Sequence, residues 1–264
     1  MKVAALQMVS GPDVAANLSA ARRLLEQAAA QGARLAALPE YFCLIGQHDR
    51  DKLAIAEDLG SGPMQQMLAD AARELGLYVV GGTLPLKADT PDRVRNSTLV
   101  FDPQGQRIAR YDKIHLFAFD NGRESYDEGR VLEAGSEPTS FEVDGLRVGL
   151  SVCYDLRFPE LFRRYAPVDL LLVPAAFTHT TGQAHWELLL RARAVENQCY
   201  VLAPAQGGTH PNGRRTFGHT ELIDPWGQVL AVQAEGEGVV IGEVDLARIA
   251  QVREQLPALK HRKL

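Results

Sequence analysis

Three side chains in this 264-residue sequence have the types needed for acyl chemistry. A thiol, Cys153, lies in Gly149-Leu150-Ser151-Val152-Cys153-Tyr154-Asp155-Leu156-Arg157-Phe158-Pro159-Glu160; a carboxylate, Glu40, follows Leu38-Pro39; an amine, Lys113, lies in Tyr111-Asp112-Lys113-Ile114-His115. The apolar, β-branched segment 146–152 leads into Cys153 and Pro159 opens a helix, so the thiol is expected exposed at a strand-to-helix turn. N–H groups at a helix start favour the thiolate, the form in which sulfur is a nucleophile. Taken singly, each residue also fits a plain structural role, because free cysteines are usually buried and lone Glu or Lys residues past a strand are usually solvated. Taken together they supply the hydrolysis of an amide. The thiol attacks the carbonyl, the carboxylate carries its proton to the leaving amine, and the cation holds the oxyanion. A thiol with a pKa of about 8.5 is mostly protonated at neutral pH, so Cys153 needs the field of Lys113 or a nearby base.

The elements that must position these groups follow from periodicity. Residues 3–8 read as a buried strand, and residues 17–31 as a helix with Leu18, Ala21, Leu24, Leu25 and Ala28 on one face. A short apolar run, Leu35-Ala36-Ala37-Leu38, stops at Pro39 and leaves Glu40 just past a strand end. Residues 43–60 read as irregular and 64–75 as a helix closed by Gly76. Strands are expected over 78–84, 97–101 and 106–111, a loop over 118–135, and strands over 139–143 and 146–152. Beyond Cys153 come a helix over 160–165, a strand over 170–173, a helix over 184–198 and strands over 200–204, 220–223, 229–232 and 239–244. A helix over 246–255 completes the chain. Helices alternating with strands and hairpins make an α/β protein with mixed sheets, whose strand ends at Glu40, Cys153, Pro174-Ala175 and Pro204-Ala205 are the places for a site.

Composition narrows the class. With 46% apolar and 23% charged residues the sequence is ordinary for a globular protein, and no linker or low-complexity tract divides it, so a single domain over 1–264 is expected. A net charge of −5 argues against broad nucleic-acid and anionic-membrane partners and says nothing against a locally basic pocket; a small-molecule substrate is expected from the amide chemistry of the three side chains. The sequence opens on a strand-like segment without a leader, and its three cysteines, Cys43, Cys153 and Cys199, are few and scattered; both suit the cytoplasm. No closely spaced Cys/His cluster calls for a metal, and no cofactor is implied.

Leu38-Pro39-Glu40, Tyr111-Asp112-Lys113-Ile114-His115-Leu116 and Cys153-Tyr154-Asp155-Leu156-Arg157-Phe158-Pro159-Glu160 resemble, in order and spacing, the three catalytic blocks of the nitrilase superfamily of carbon–nitrogen hydrolases. The resemblance implies a Glu40/Lys113/Cys153 triad in an α-β-β-α sandwich, and homodimers that stack eight layers. It further implies that Glu128, in Asp127-Glu128-Gly129, places the substrate and holds Lys113, and that Lys113 and the Tyr154 N–H form the oxyanion hole. The runs 181–198 and 217–227 resemble the Nit branch, which holds deaminated glutathione amidase and the ω-amidases, so the implied substrate is a keto-acid amide. Such a substrate carries carboxylates, for which Arg157, Arg214 and Arg215 are candidate partners. Tyr41, Phe177, Thr178 and His179 are further candidates for binding it, and His115 and Phe117 are possible linings.

Other readings compete. A papain-like enzyme would need a His base after Cys153, and His179, His185, His210 and His219 are available, but the Glu-Lys-Cys order fits it less well. A catalytically silent interaction module on the same scaffold is the alternative outside the enzymes. Arg191, Arg193 and Glu196 are expected as an ion-pair set on one helix, and Trp186 and Trp226 as core residues.

Overall fold

The computed structural model describes residues 1–263. The chain begins with β1 (Lys2–Gln7), α1 (Val14–Ala30), β2 (Leu35–Ala37), α2 (Asp51–Ala54), α3 (Pro63–Leu75) and β3 (Tyr78–Val80). Strands β4 (Leu84–Lys87), β5 (Val94–Phe101), β6 (Arg107–Asp112), β7 (Ala118–Asp120), β8 (Ser125–Asp127), β9 (Ser140–Val143) and β10 (Leu146–Leu150) follow. Then come α4 (Pro159–Tyr165), β11 (Leu170–Leu172), α5 (His179–Asn197), β12 (Tyr200–Ala203), β13 (Gly207–Thr209), β14 (Arg215–Phe217) and β15 (Thr220–Ile223). The last elements are β16 (Val229–Gln233), β17 (Gly238–Glu243), α6 (Leu246–Gln255) and α7 (Ala258–His261).

Two mixed sheets face each other. One runs β17-β1-β2-β3-β5-β4 with β6 on β5, the other β16-β15-β12-β11-β10-β9. In each, three parallel strands form the middle, β1-β2-β3 and β10-β11-β12, with antiparallel partners outside them. Alternation along β1 shows the layering. Val3 and Ala5 pack with Val148, Leu150, Leu170 and Leu172 between the sheets, whereas Ala4 and Leu6 pack outward against Leu24 and Leu25 of α1 and Leu68 of α3. Helices α4 and α5 cover the other sheet with Leu161, Phe162, Trp186 and Leu190. The order of layers is α-β-β-α, as expected. Burying a Leu-sized side chain contributes about 1.5–3 kcal/mol, so these interfaces supply most of the driving force.

Local signals set the helix ends. Asp13 caps α1 by accepting from the Ala16 N–H at 3.1 Å, and Gly76 closes α3 in the left-handed conformation, φ 66°. Several boundaries differ from the sequence reading. The strand expected over 78–84 is split into β3 and β4 by Gly81-Gly82, whose turn apolar patterning does not reveal. Residues 43–60 contain α2, the loop 118–135 contains the β7–β8 hairpin, and α5 begins at His179 instead of residue 184. Trp186 is fully buried, but Trp226 is 56% exposed, on a turn where its neighbours cannot enclose it.

The parallel strands of the two sheets run the same way. Past their C-terminal ends, Ala175 pairs in parallel with Ala205 within one sheet, and Met8 with Gln206 between the two, joining the sheets beside Glu40 and Cys153. Ligand sites in open parallel sheets form at this end.

Candidate active site

Each reactive side chain sits one short step beyond a strand. Glu40 follows β2, where Leu38 N–H donates to Val80 O at 2.9 Å and Gln206 Nε2 donates to Glu40 O at 3.1 Å. Gly82, at φ 39°, lies so close that a Cβ there would stand 2.0 Å from Pro39 O. Lys113 follows β6, its N–H donating to Asn96 O at 3.0 Å and its carbonyl accepting from Gly135 N–H at 2.9 Å. Glu128 opens a 3₁₀ turn, Glu128–Arg130, capped by Asp127, which accepts from Gly129 N–H at 3.1 Å.

Cys153 follows β10 and has φ 48°, a left-handed conformation that typically costs a non-glycine residue about 1–3 kcal/mol. Its surroundings fix it there. Cys153 N–H donates to Pro174 O at 2.9 Å, and buried Asp155 accepts from Val152 N–H at 2.8 Å, Tyr111 Oη at 2.7 Å and His115 N–H at 3.0 Å. Arg193 of α5 donates Nε and Nη2 to Leu156 O at 3.0 and 2.9 Å. The turn Cys153–Arg157 is therefore held from both sides of its sheet.

The charged groups converge on Lys113. Its Nζ lies 2.9 Å from Glu40 Oε1 and 3.0 and 2.8 Å from Glu128 Oε1 and Oε2. Glu40 also accepts from Asn96 Nδ2 at 2.9 Å and Ala176 N–H at 2.8 Å; Glu128 accepts from Tyr41 Oη at 2.8 Å and Phe117 N–H at 2.7 Å. Burial works to lower the pKa of Lys113, but the carboxylates of Glu128 and Glu40 more than offset it, so the amine stays charged well above its ordinary range. Burial works to raise Glu128; Lys113, with the Phe117 and Tyr41 donors, holds it below the ordinary value. Tyr41 is raised by burial and by Glu128 and Glu40, and remains a protonated donor.

The thiol departs from the sequence expectation in two ways. Cys153 is buried, only 8% exposed, because the turn folds into the gap between the sheets. Its pKa is pushed well above the ordinary value, by burial first and then by Glu40, with Lys113 opposing. Acidification by a helix start does not occur here, since α4 begins six residues later, at Pro159, and the turn at Cys153 is a short 3₁₀ one. Cys153 is a protonated thiol beside a carboxylate.

One cavity is lined by Glu40, Glu128, Cys153, Tyr41, Tyr154, Phe117, Phe177 and Thr178. Lys113 reaches it through both carboxylates. Arg157 and His179 are not among its lining residues. The Arg157 guanidinium stacks 5.8 Å from the Tyr154 ring and 5.2 Å from the Phe177 ring and meets His185, while the His179 ring packs on Phe217. His115 is occupied by Asp155 and Phe158, and Arg215 pairs with Glu235. The expected helix ion pairs are realised in part, Arg193 with Glu196 at 2.6 Å but Arg191 with Glu187 at 3.3 Å.

Arg214 does line the cavity, together with Lys52 and Asp49, which periodicity had left in an irregular stretch. Asn96 was also missed. Its signal was legible, since Asn96-Ser97-Thr98 is a polar run inside an apolar strand, and all three side chains are buried. Gln206, buried between Ser10, Glu40 and Tyr41, gave no such sign. Chemically, a buried thiol next to a carboxylate and a doubly paired ammonium can attack a carbonyl carbon, move one proton and stabilise an oxyanion.

The carbon-nitrogen hydrolase family model matches residues 2–254. Deaminated glutathione amidase of a Synechocystis species is 41% identical over 98% of this chain and 97% of its own. The human omega-amidase NIT2 is 36% identical over 94% and 89%. The crystal structure of Saccharomyces cerevisiae Nit3, a member of branch 10 of the nitrilase superfamily, superposes with a TM-score of 0.90 at 30% identity, covering 100% of this chain and 97% of that one. Matched along nearly its whole length and sharing that fold, the chain belongs to the carbon-nitrogen hydrolase family of the nitrilase superfamily and is a hydrolase of carbon–nitrogen bonds other than peptide bonds.

Proposed function

We propose that the chain is an amidase that works through a Cys153 thioester, with deaminated glutathione as its substrate and 2-oxoglutarate and cysteinylglycine as products. The observation that carries the chemistry is the convergence of Cys153, Glu40, Lys113 and Glu128 on one cavity. Glu40 takes the thiol proton as Sγ bonds to the amide carbon, and the carbonyl π pair moves onto oxygen. Lys113 Nζ and the Tyr154 N–H receive that oxyanion; first-turn N–H groups have no partner within their own turn. The intermediate collapses, the C–N bond breaks, and Glu40 delivers its proton to the leaving nitrogen. Water then repeats the sequence on the thioester, with Glu40 as base and afterwards as the acid that returns the proton to sulfur. Glu128 holds Lys113 and, through Tyr41 and Phe117, the wall on which the amide rests. The raised thiol pKa makes Glu40 necessary, because little thiolate exists before it acts.

The choice of amide follows the relatives. Those named deaminated glutathione amidase share more of this sequence than those named omega-amidase, so α-ketoglutaramate is the second reading. Comparing kcat/KM on the two amides, with ammonia and cysteinylglycine both measured, decides between them. Intact mass spectrometry should trap an acyl adduct on the wild type and none on Cys153→Ala. Turnover without a Cys153 adduct, or turnover retained by Cys153→Ala, would refute the proposal.

We further propose a single folding unit over 1–264, since one core spans both sheets. A homodimer formed through the outer face of α5 and β16 completes the assembly. There Leu188, Val195, Trp226, Leu230 and Val232 are exposed, an apolar set that a partner of the same kind would cover. Sedimentation equilibrium showing a monomer at micromolar concentration would end that idea. Three free cysteines fit a cytoplasmic location.

A further inference from the structure

The cavity has two electrical ends, and the second is unassigned. At the reacting end one cation, Lys113, is shared by two carboxylates, Glu40 and Glu128. At the other end the ratio is reversed. Lys52 Nζ and Arg214 Nη1 approach the same oxygen of Asp49, at 3.7 and 3.5 Å. Asp127, the remaining acidic lining residue, is paired with Arg130 at 3.0 Å.

We propose that Lys52 and Arg214, bridged by Asp49, form a carboxylate-binding subsite that takes the acid end of an amide whose other end faces Cys153. The inference rests on the amidase reading above and names the substrate class, an amide bearing a carboxylate remote from the scissile bond. Its support is geometric. The Lys52 side chain is only 13% exposed, and its ammonium lies 4.7 Å over the Tyr41 ring, the same tyrosine that donates to Glu128. Arg214 is fixed from the β13–β14 turn, its N–H donating to Asn212 Oδ1 at 2.9 Å, with its guanidinium 5.0 Å over the Tyr126 ring. Both cations are thus positioned by aromatic faces, and their contacts with Asp49 are longer than good hydrogen bonds, which leaves donors to spare.

Electrostatics agree in sign. Burial lowers the Lys52 pKa and Arg214 adds to the effect, while Asp49, Glu128 and Glu40 oppose it. An incoming carboxylate would oppose that lowering. A substrate placed backwards would bring its anion against Glu40 and Glu128, so the two ends together select one orientation. Arg157 and Arg215, the other candidates from the sequence, do not line this end.

The test compares an ω-amide of a keto acid with an uncharged amide of the same length, in wild type, Lys52→Met and Lys52→Arg. Loss of a charge-assisted contact should raise KM for the anionic amide on the order of 30-fold, with kcat and the neutral amide changed less than about threefold. Lys52→Arg should recover most of the loss. Independently, 2-oxoglutarate is titrated calorimetrically into Cys153→Ala with and without Lys52→Met, where the same weakening is expected. Equal effects on charged and neutral amides, or unchanged 2-oxoglutarate binding, would overturn the subsite. If the wild type hydrolyses no amide yet binds 2-oxoglutarate in a Lys52-dependent way, the subsite stands and the amidase reading falls.

Discussion

Replacing Glu128 by Gln should make Cys153 more reactive and the enzyme worse. Glu128 accepts four contacts, from Tyr41 Oη and Phe117 N–H and two from Lys113 Nζ. An amide has the same shape but offers one oxygen and one NH2 group, and each position it would fill faces Lys113 and a second donor. With the NH2 turned to Tyr41, whose hydroxyl can accept, Lys113 loses one of its contacts and its second counter-charge. Hydrogen bonds to charged groups contribute about 1.5–3 kcal/mol each, so the loss of alignment should lower kcat/KM on the order of a hundredfold. The thiol responds with the opposite sign. Glu128 is among the groups that push the Cys153 pKa up, so removing its charge lowers that pKa. Iodoacetamide alkylation of Cys153, followed by mass spectrometry across pH, should therefore be faster in Glu128→Gln at neutral pH. Slower or unchanged alkylation, or kcat/KM within threefold of wild type, would refute the reasoning.

Two more outcomes follow from buried groups elsewhere. Glu221 of β15 is buried, one of its oxygens has no partner among the described residues, and burial with the nearby Glu187 raises its pKa from 4.5 to about 8 against the pull of Arg191. Because the native state holds this proton more tightly than the unfolded chain, its contribution is complete below pH 4.5 and is lost as pH rises through 8. Glu221→Gln should therefore gain a few kcal/mol over wild type at pH 8 relative to pH 5; thermal midpoints with the same gap at both pH values would exclude this. Gly82→Ala places a methyl group against Pro39 O at a positive φ and should displace Glu40. Activity should drop more than about tenfold, with stability lower by a few kcal/mol, and full activity in a steady-state assay would contradict the packing argument.

Much of this protein could be read from its sequence alone because the signals were local. Strand and helix periods, Pro39 and Pro159 at element ends, and the order Glu40, Lys113, Cys153 each depend on near neighbours in the chain, and they led to an α/β protein with mixed sheets and a thiol chemistry, while the sandwich arrangement came through the family resemblance. Glu128 also came from a short motif, but only through a family resemblance. What the tertiary structure decided is everything that depends on burial and on distance across the chain. The Cys153 thiol reads as exposed and acidified in isolation. In the fold it is buried between two sheets, next to a glutamate 113 residues earlier, and its pKa moves the opposite way. Arg157 stands four residues from Cys153 and was the natural partner for a substrate carboxylate, yet its side chain stacks on Tyr154 and Phe177, two residues of the cavity wall, without lining the cavity itself. Lys52 lay in a stretch with no period at all, and reaches the cavity because a four-residue helix sets it beside Tyr41 and Arg214. Sequence specifies which groups are present and in what order; solvent exclusion and the sum of charges around each group, which fix their protonation and partners, exist only once both sheets have closed over them.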